Sequence, residues 1–172
     1  MNVSRTGKYI AGLVGEKWSR DSPREGSTIK VWSQSNRYST PISIVNLWDR
    51  LKVHPRLVGV EFIHSTKIWS IAVKSLQVSD EGIVAVCVHM IMDGHQCSIR
   101  TAYDAKTDEL FVGVNETRGT ESFGSDSNFV DVSDDRIRFE GYGNPEQFVT
   151  WFFREDRYTQ IDFPVSLTQV KH

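Results

Sequence analysis

Apolar and polar residues alternate with period two along most of the chain and switch to a helical period in two places. Residues 27–33 (STIKVWS) set Ile29 and Val31 against Lys30 and Trp32, the pattern of a first strand. Further strands are predicted over 57–64, 67–78, 83–92, 95–103 and 109–115, with turn-like residues at 79–82, 93–94 and 104–108 between the later ones. Asp93-Gly94 between two strand-like runs predicts a two-residue hairpin, because both central residues of that turn take positive φ. Connections this short allow only antiparallel neighbours, so the middle of the chain reads as a meander. A strand pair over 129–132 and 136–139 and a last strand over 158–167 follow, after a long polar loop at 116–128.

The first helical pattern starts at Thr40, a suitable N-cap, with Pro41 at the first helical position. Ile44, Trp48 and Leu51 then recur at i, i+4 and i+7, and His54-Pro55 ends the helix. The second pattern opens on Asn144, with Pro145 next and Gln147 completing a capping box. Phe148, Val149, Phe152 and Phe153 form its apolar side. Residues 1–27 mix glycines, Pro23 and scattered basic residues and read as a flexible arm. The expected fold is therefore α+β: a single antiparallel meander sheet over 28–172, with two helices packed on one face and a mobile basic N-terminal arm.

The chain has 172 residues, of which 39% are hydrophobic, enough for the core of one domain. No apolar run approaches the ~20 residues that span a bilayer, and the short apolar stretch at 9–14 does not read as a secretory signal. Two cysteines cannot build a disulfide framework, and reduced thiols fit a cytosol-like compartment. Cys87, His89, His95 and Cys97 could by type hold zinc. With Asp93-Gly94 as the turn, Met92 opposes His95, Met90 opposes Cys97 and His89 opposes Ser98, which divides those ligands between the two faces of the sheet. No metal or other cofactor is expected. One face, with Val86, Val88 and Ile99, reads as core. The other, with Ala85, Cys87, His89, Ile91, Gln96, Ser98 and Arg100, reads as a mixed surface open to water or a wet interface. Cys87 and Cys97 read as half-buried thiols.

No nucleophile elbow, phosphate-binding glycine loop or calcium-loop spacing occurs, so a non-enzymatic protein without a small-molecule substrate is expected. Charge carries more information. Residues 1–75 hold 12 Lys/Arg and 5 Asp/Glu, and residues 76–172 hold 8 and 17, so halves of +7 and −9 lie behind a net charge of −2. Such asymmetry speaks of association rather than fold. Arg5, Lys8, Lys17, Arg20, Arg24, Lys30 and Arg37 interleave with Tyr9, Trp18, Trp32 and Tyr38, a mixture suited to an anionic membrane surface and also to RNA. Asp131, Asp134, Asp135 and Glu140 are the candidate acidic surface for a partner.

Residues 31–50 (VWSQSNRYSTPISIVNLWDR) resemble a stretch of rhabdovirus matrix proteins, those of plant cytorhabdoviruses being similar in size. Ser35, Asn36 and Arg37 match an element that follows a strand, and Trp48 and Asp49 match a helix that precedes the main sheet. The chain departs from the animal-virus pattern in lacking the Pro-Pro-x-Tyr and Pro-(Ser/Thr)-Ala-Pro budding motifs and in having a less lysine-rich arm. The resemblance implies a structural protein of the virion and host cytoplasm. It would self-associate head to tail and bridge the viral ribonucleoprotein to an anionic membrane. The basic residues named above, with Trp18, would meet lipid, ribonucleoprotein or a neighbouring subunit. The alternative expectation is a small immunity or adaptor protein of the bacterial cytoplasm, binding a basic partner through its acidic C-terminal half.

Overall fold

The computed structural model describes residues 1–14, 27–57, 68–92, 95–117, 129–140 and 147–162. Within them, backbone hydrogen bonds make three antiparallel sheets of four strands that succeed one another along the chain. The N-terminal sheet has β1 (Asn2–Val3), β2 (Tyr9–Val14), β3 (Thr28–Ser33) and β4 (Pro41–Asn46) side by side in that order. The central sheet is a meander of β5 (Ile68–Val78), β6 (Ile83–Met92), β7 (His95–Asp104) and β8 (Glu109–Thr117). The C-terminal sheet comprises β9 (Phe129–Val132), β10 (Arg136–Glu140), β11 (Gln147–Phe152) and β12 (Arg157–Asp162). Among the described residues there is one α-helix, α1 (Leu47–Lys52), and a 3-10 turn at Gln34–Asn36. The protein is mainly β, which overturns the expected α+β fold with two helices on a single sheet.

The three sheets stack as layers because the central sheet buries both faces. Val84, Val86, Val88, Ile99 and Tyr103 pack with Ala11, Ile29, Val31 and Val45 of the N-terminal sheet, and with Leu47, Trp48 and Leu51 of α1. The alternate residues Ile83, Ala85, Cys87 and Ala102 pack with Phe129, Ile137, Phe139 and Trp151 of the C-terminal sheet, joined by Phe153. The near-continuous apolar run of β6 is what burial on both faces requires. At Ala85, Cys87 and Arg100 the face read as open to water is thus buried in a second core. Cys87 is 2% exposed rather than half-buried. Arg100 is 6% exposed, with its guanidinium 4.0 Å above the Phe139 ring. The hairpin register follows the turn as expected: Met92 opposes His95, Met90 opposes Cys97 and His89 opposes Ser98.

The first predicted helix gives way to a strand over Pro41–Asn46 and is kept only over Leu47–Lys52, and the second gives way to a strand over its described residues, each for an identifiable reason. Over Pro41–Asn46, Ser43 and Val45 face the core while Ile42 and Ile44 face outward, so period two governs this stretch. Its proline sits at the first position of an edge strand, where the missing N–H costs no ladder bond. The helix begins only at Leu47, capped by Asn46, whose Oδ1 accepts from the Asp49 N–H at 3.0 Å. The second predicted helix is β11. Its aromatic and β-branched residues favour a pleated surface, and Val149, Trp151 and Phe153 alternate into the second core. The arm reading is corrected over residues 1–14, since β1 and β2 belong to the N-terminal sheet, while residues 15–26 lie outside the described residues. The predicted strand at 57–64 lies outside the described residues beyond Leu57, as do residues 144–146 and 163–167.

The turn between β7 and β8 ties the layers together. Tyr103 donates from its hydroxyl to Asp108 Oδ1 at 2.8 Å and lies 2.5 Å from Ser43 Oγ, while Arg50 reaches Asp108 Oδ2 at 3.0 Å. From the opposite side, Arg154 donates to the buried Asp104 carboxylate at 2.8 Å. Burial alone would push the Asp104 pKa up. Arg154 and the N–H groups of Lys106 and Thr107 outweigh it, and the carboxyl is held below its ordinary range.

Candidate functional site

Strand alternation gives the outer face of the N-terminal sheet an unusual make-up. Tyr9, Ala11, Leu13, Ile29, Val31, Ser43 and Val45 point toward the central sheet. Ile10 and Val14 therefore point outward from β2, with Lys30 and Trp32 from β3 and Ile42 and Ile44 from β4. Ile44 is 62% exposed and Ile42 40% exposed, and Lys30 stands opposite Ile44 and Gly12 in the ladder. The Gly12 Cα carries no side chain, and Met1 lies over it at 3.5 Å from where a Cβ would be. Aliphatic residues and Lys30 thus share one solvent-facing sheet surface. Arg37 is exposed at one end of it, in the turn after the 3-10 segment, where Arg37 and Tyr38 both take a φ of 56°.

Of the predicted basic set, Lys30 lies on this face, opposite Gly12, while Lys8 and Arg37 are exposed beyond the strand ends, next to β2 and in the turn after the 3-10 segment. Arg5 is exposed and turns elsewhere, with Nε 3.8 Å from Asp80 Oδ2. Lys17, Trp18, Arg20 and Arg24 lie outside the described residues. The predicted acidic surface is interleaved with arginines. Asp135 pairs with Arg136 at 2.8 Å, Arg154 donates to the Asp134 carbonyl at 2.9 Å, and Asp131 opposes Arg138 across the ladder. Glu140 opposes Phe148. Asp131, Asp134 and Asp135 do not form a patch of one sign.

Arg5 and Asp131 do meet in a cleft of about 500 Å³ formed by the N-terminal hairpin, the β5–β6 turn and β9, with Asp80 and Glu81 on its wall. Asp80 is already engaged there. It accepts from the Thr6 N–H at 2.9 Å and from Thr6 Oγ1 at 2.7 Å. The backbone bond first, then the hydroxyl, hold its pKa at about 2. An unfolded aspartate titrates near about 3.9. This carboxylate therefore contributes stability above about pH 4 that is lost as pH falls toward about 2. Acid unfolding of the wild type and Asp80→Asn, followed by circular dichroism, checks this. The variant is expected to lose less stability than the wild type between those pH values, and identical acid limbs would contradict the assignment.

Sequence reasoning missed Ile42, Ile44 and Asp80. The period-two alternation of residues 41–46 was the available signal for the first two. Nothing in the turn Ser79–Gly82 marked Asp80 as the anchor of the N-terminal hairpin. Among the described residues, no group of three His, Cys, Asp or Glu side chains is placed to hold a metal ion, and no helix is long and apolar enough to cross a membrane. No protein-family model, curated protein or solved structure matches this chain.

Proposed function

We propose that the protein is a non-enzymatic domain that adsorbs to an anionic membrane surface through the outer face of its N-terminal sheet. The observation that carries this reading is the exposure of Ile42 and Ile44 beside Lys30 on one sheet face. A surface of this kind gains from both terms of interfacial binding. Aliphatic side chains enter the headgroup boundary, and each basic residue near an anionic leaflet contributes about 1 kcal/mol. Trp32, half-buried on the same face, has the amphipathic ring suited to that layer. The positive excess of residues 1–75 acts in the same direction. The resemblance over residues 31–50 implies a narrower form of this reading, a matrix-type role that bridges such a membrane to a ribonucleoprotein.

Flotation with liposomes tests the proposal, using phosphatidylcholine vesicles with and without phosphatidylserine at low and at physiological salt. Binding to the anionic vesicles that weakens with salt is the expected result, since exposed charges are screened beyond about 10 Å at 0.1 M. Equal binding to both vesicles, or none to either, would overturn it. Absence of binding would leave the basic-partner immunity or adaptor role as the reading to pursue.

A further inference from the structure

We infer that a groove at one end of the N-terminal sheet is a subsite for a terminal phosphate dianion, presented as the phosphomonoester of a lipid headgroup or as free phosphate. This inference deepens the membrane reading and rests on it for the lipid source alone.

The groove has a volume of about 400 Å³ and is lined by Lys8, Tyr9, Ser33, Gln34 and Ser35. Its chemistry differs in kind from that of the other cleft. There, carboxylates line the wall and the one arginine is paired with one of them. Here the lining is one cation, two aliphatic hydroxyls, a phenol and a primary amide, with no carboxylate among the described residues. Lys106 adds a second ammonium nearby, 5.7 Å above the Tyr9 ring. A cation with several neutral donors is the set that binds a compact dianion through charge-assisted hydrogen bonds.

The backbone that carries these side chains is also fixed before any ligand arrives. Gln34 N–H donates to the Lys8 carbonyl at 2.8 Å, which ties the 3-10 turn to the backbone that carries the lysine. The Tyr38 hydroxyl donates to the Gly7 carbonyl, and Tyr38 N–H donates to the Ser33 carbonyl at 3.0 Å. Ser4 Oγ accepts from Tyr9 N–H at 3.1 Å. Ser33 and Ser35 hydroxyls lie 2.8 Å apart, so a bound oxygen can accept from one while that pair stays bonded. Preorganisation of this sort lowers the ordering cost of binding.

The test uses two probes on the full chain. Inorganic phosphate is titrated while the backbone amides of Lys8, Gln34 and Ser35 are followed by NMR. Vesicles containing phosphatidic acid are compared with phosphatidylserine vesicles matched in surface potential. The expected result is saturable amide shifts and roughly tenfold tighter binding to the phosphatidic acid vesicles, the size of one charge-assisted hydrogen bond. The neutral double variant Gln34→Ala with Ser35→Ala is expected to abolish that preference and leave phosphatidylserine binding unchanged. Amide shifts without binding to any vesicle would uphold the subsite for free phosphate and overturn the membrane reading. Equal affinity for the two vesicle types with no amide shifts would overturn the subsite while the membrane reading stands.

Discussion

Replacing Trp151 with alanine is expected to destabilise the fold by about 3–5 kcal/mol, the range for removing a large aromatic side chain from a packed core. Trp151 is 1% exposed and lies between the central and C-terminal sheets. Its ring stacks on Tyr158 at 6.0 Å with an interplanar angle of 9° and meets Phe153 edge-on at 6.0 Å. Gly113 of β8 is what lets the ring approach: a Cβ there would sit 3.2 Å from Trp151 Cζ2 and closer still to the Tyr158 hydroxyl. Truncation therefore empties a space bounded by the β8 backbone at Gly113 on one side and the Tyr158 ring on the other. Thermal unfolding checks the effect, with a fall of roughly 2–4 °C per kcal/mol for a domain of this size. Ile44→Ala on the outer face is the control and is expected to change stability by less than about 0.5 kcal/mol. Equal and small effects of both would contradict the burial of a second core beneath the C-terminal sheet.

The second large effect concerns binding. Lys30→Glu combined with Ile44→Asp is expected to weaken adsorption to anionic vesicles several hundred-fold while the protein stays folded. Reversing one basic charge near the leaflet removes about 2 kcal/mol. Losing the insertion of one isoleucine removes about 1.5–3 kcal/mol more. Together these exceed 3 kcal/mol, and every 1.4 kcal/mol is tenfold. Neither side chain belongs to the buried cores, and β4 is an edge strand in which a charge is tolerated. Vesicle co-sedimentation measures the affinity, and circular dichroism verifies the fold. A folded double variant that binds like the wild type would remove the outer face from the interaction.

Much of the central sheet was legible because its signals were local. The register read from the Asp93-Gly94 signal is the one found between β6 and β7, and the strand limits at Ile83–Met92 coincide with those read from the apolar run. The same run also carried a message that local reading passed over. Val84, Val86 and Val88 alternate with Ala85 and Cys87, so neither face of β6 is polar in this stretch. A strand apolar on both faces needs a layer on each side. Where local patterns fit two periods, the structure follows pairing with distant residues. Ile44, Trp48 and Leu51 satisfy a helical spacing, but Ile44 opposes Lys30 in a ladder and only Trp48 and Leu51 are helical. Residues 147–152 follow a plausible capping pattern, and the aromatic alternation of β11 prevails over it through six paired positions with β12.

The candidate site was half legible for the same reason. Lys8, Lys30 and Arg37 stand out in the sequence by charge alone. Their meaning depends on Ile42 and Ile44, whose outward direction exists only once residues 41–46 are a strand. The acidic group Asp131, Asp134 and Asp135 stood out equally well, and the fold sets arginines from β10 and from the turn after β11 among its members. Composition along a chain does not disclose such interleaving, because the pairing partners come from other strands.

Quenching of Trp32 fluorescence by lipids brominated along the acyl chain tests the membrane-facing assignment of the N-terminal sheet most directly. Trp32 lies on the outer face, whereas Trp48 and Trp151 are buried in the two cores, and the measurement is made in a background with Trp18 and Trp69 replaced by phenylalanine. In anionic vesicles, emission is expected to fall with the brominated lipid, and the Trp32→Phe variant is expected to bind normally with that loss of emission largely abolished. Vesicle-bound protein whose quenching is the same with and without Trp32 would contradict the assignment.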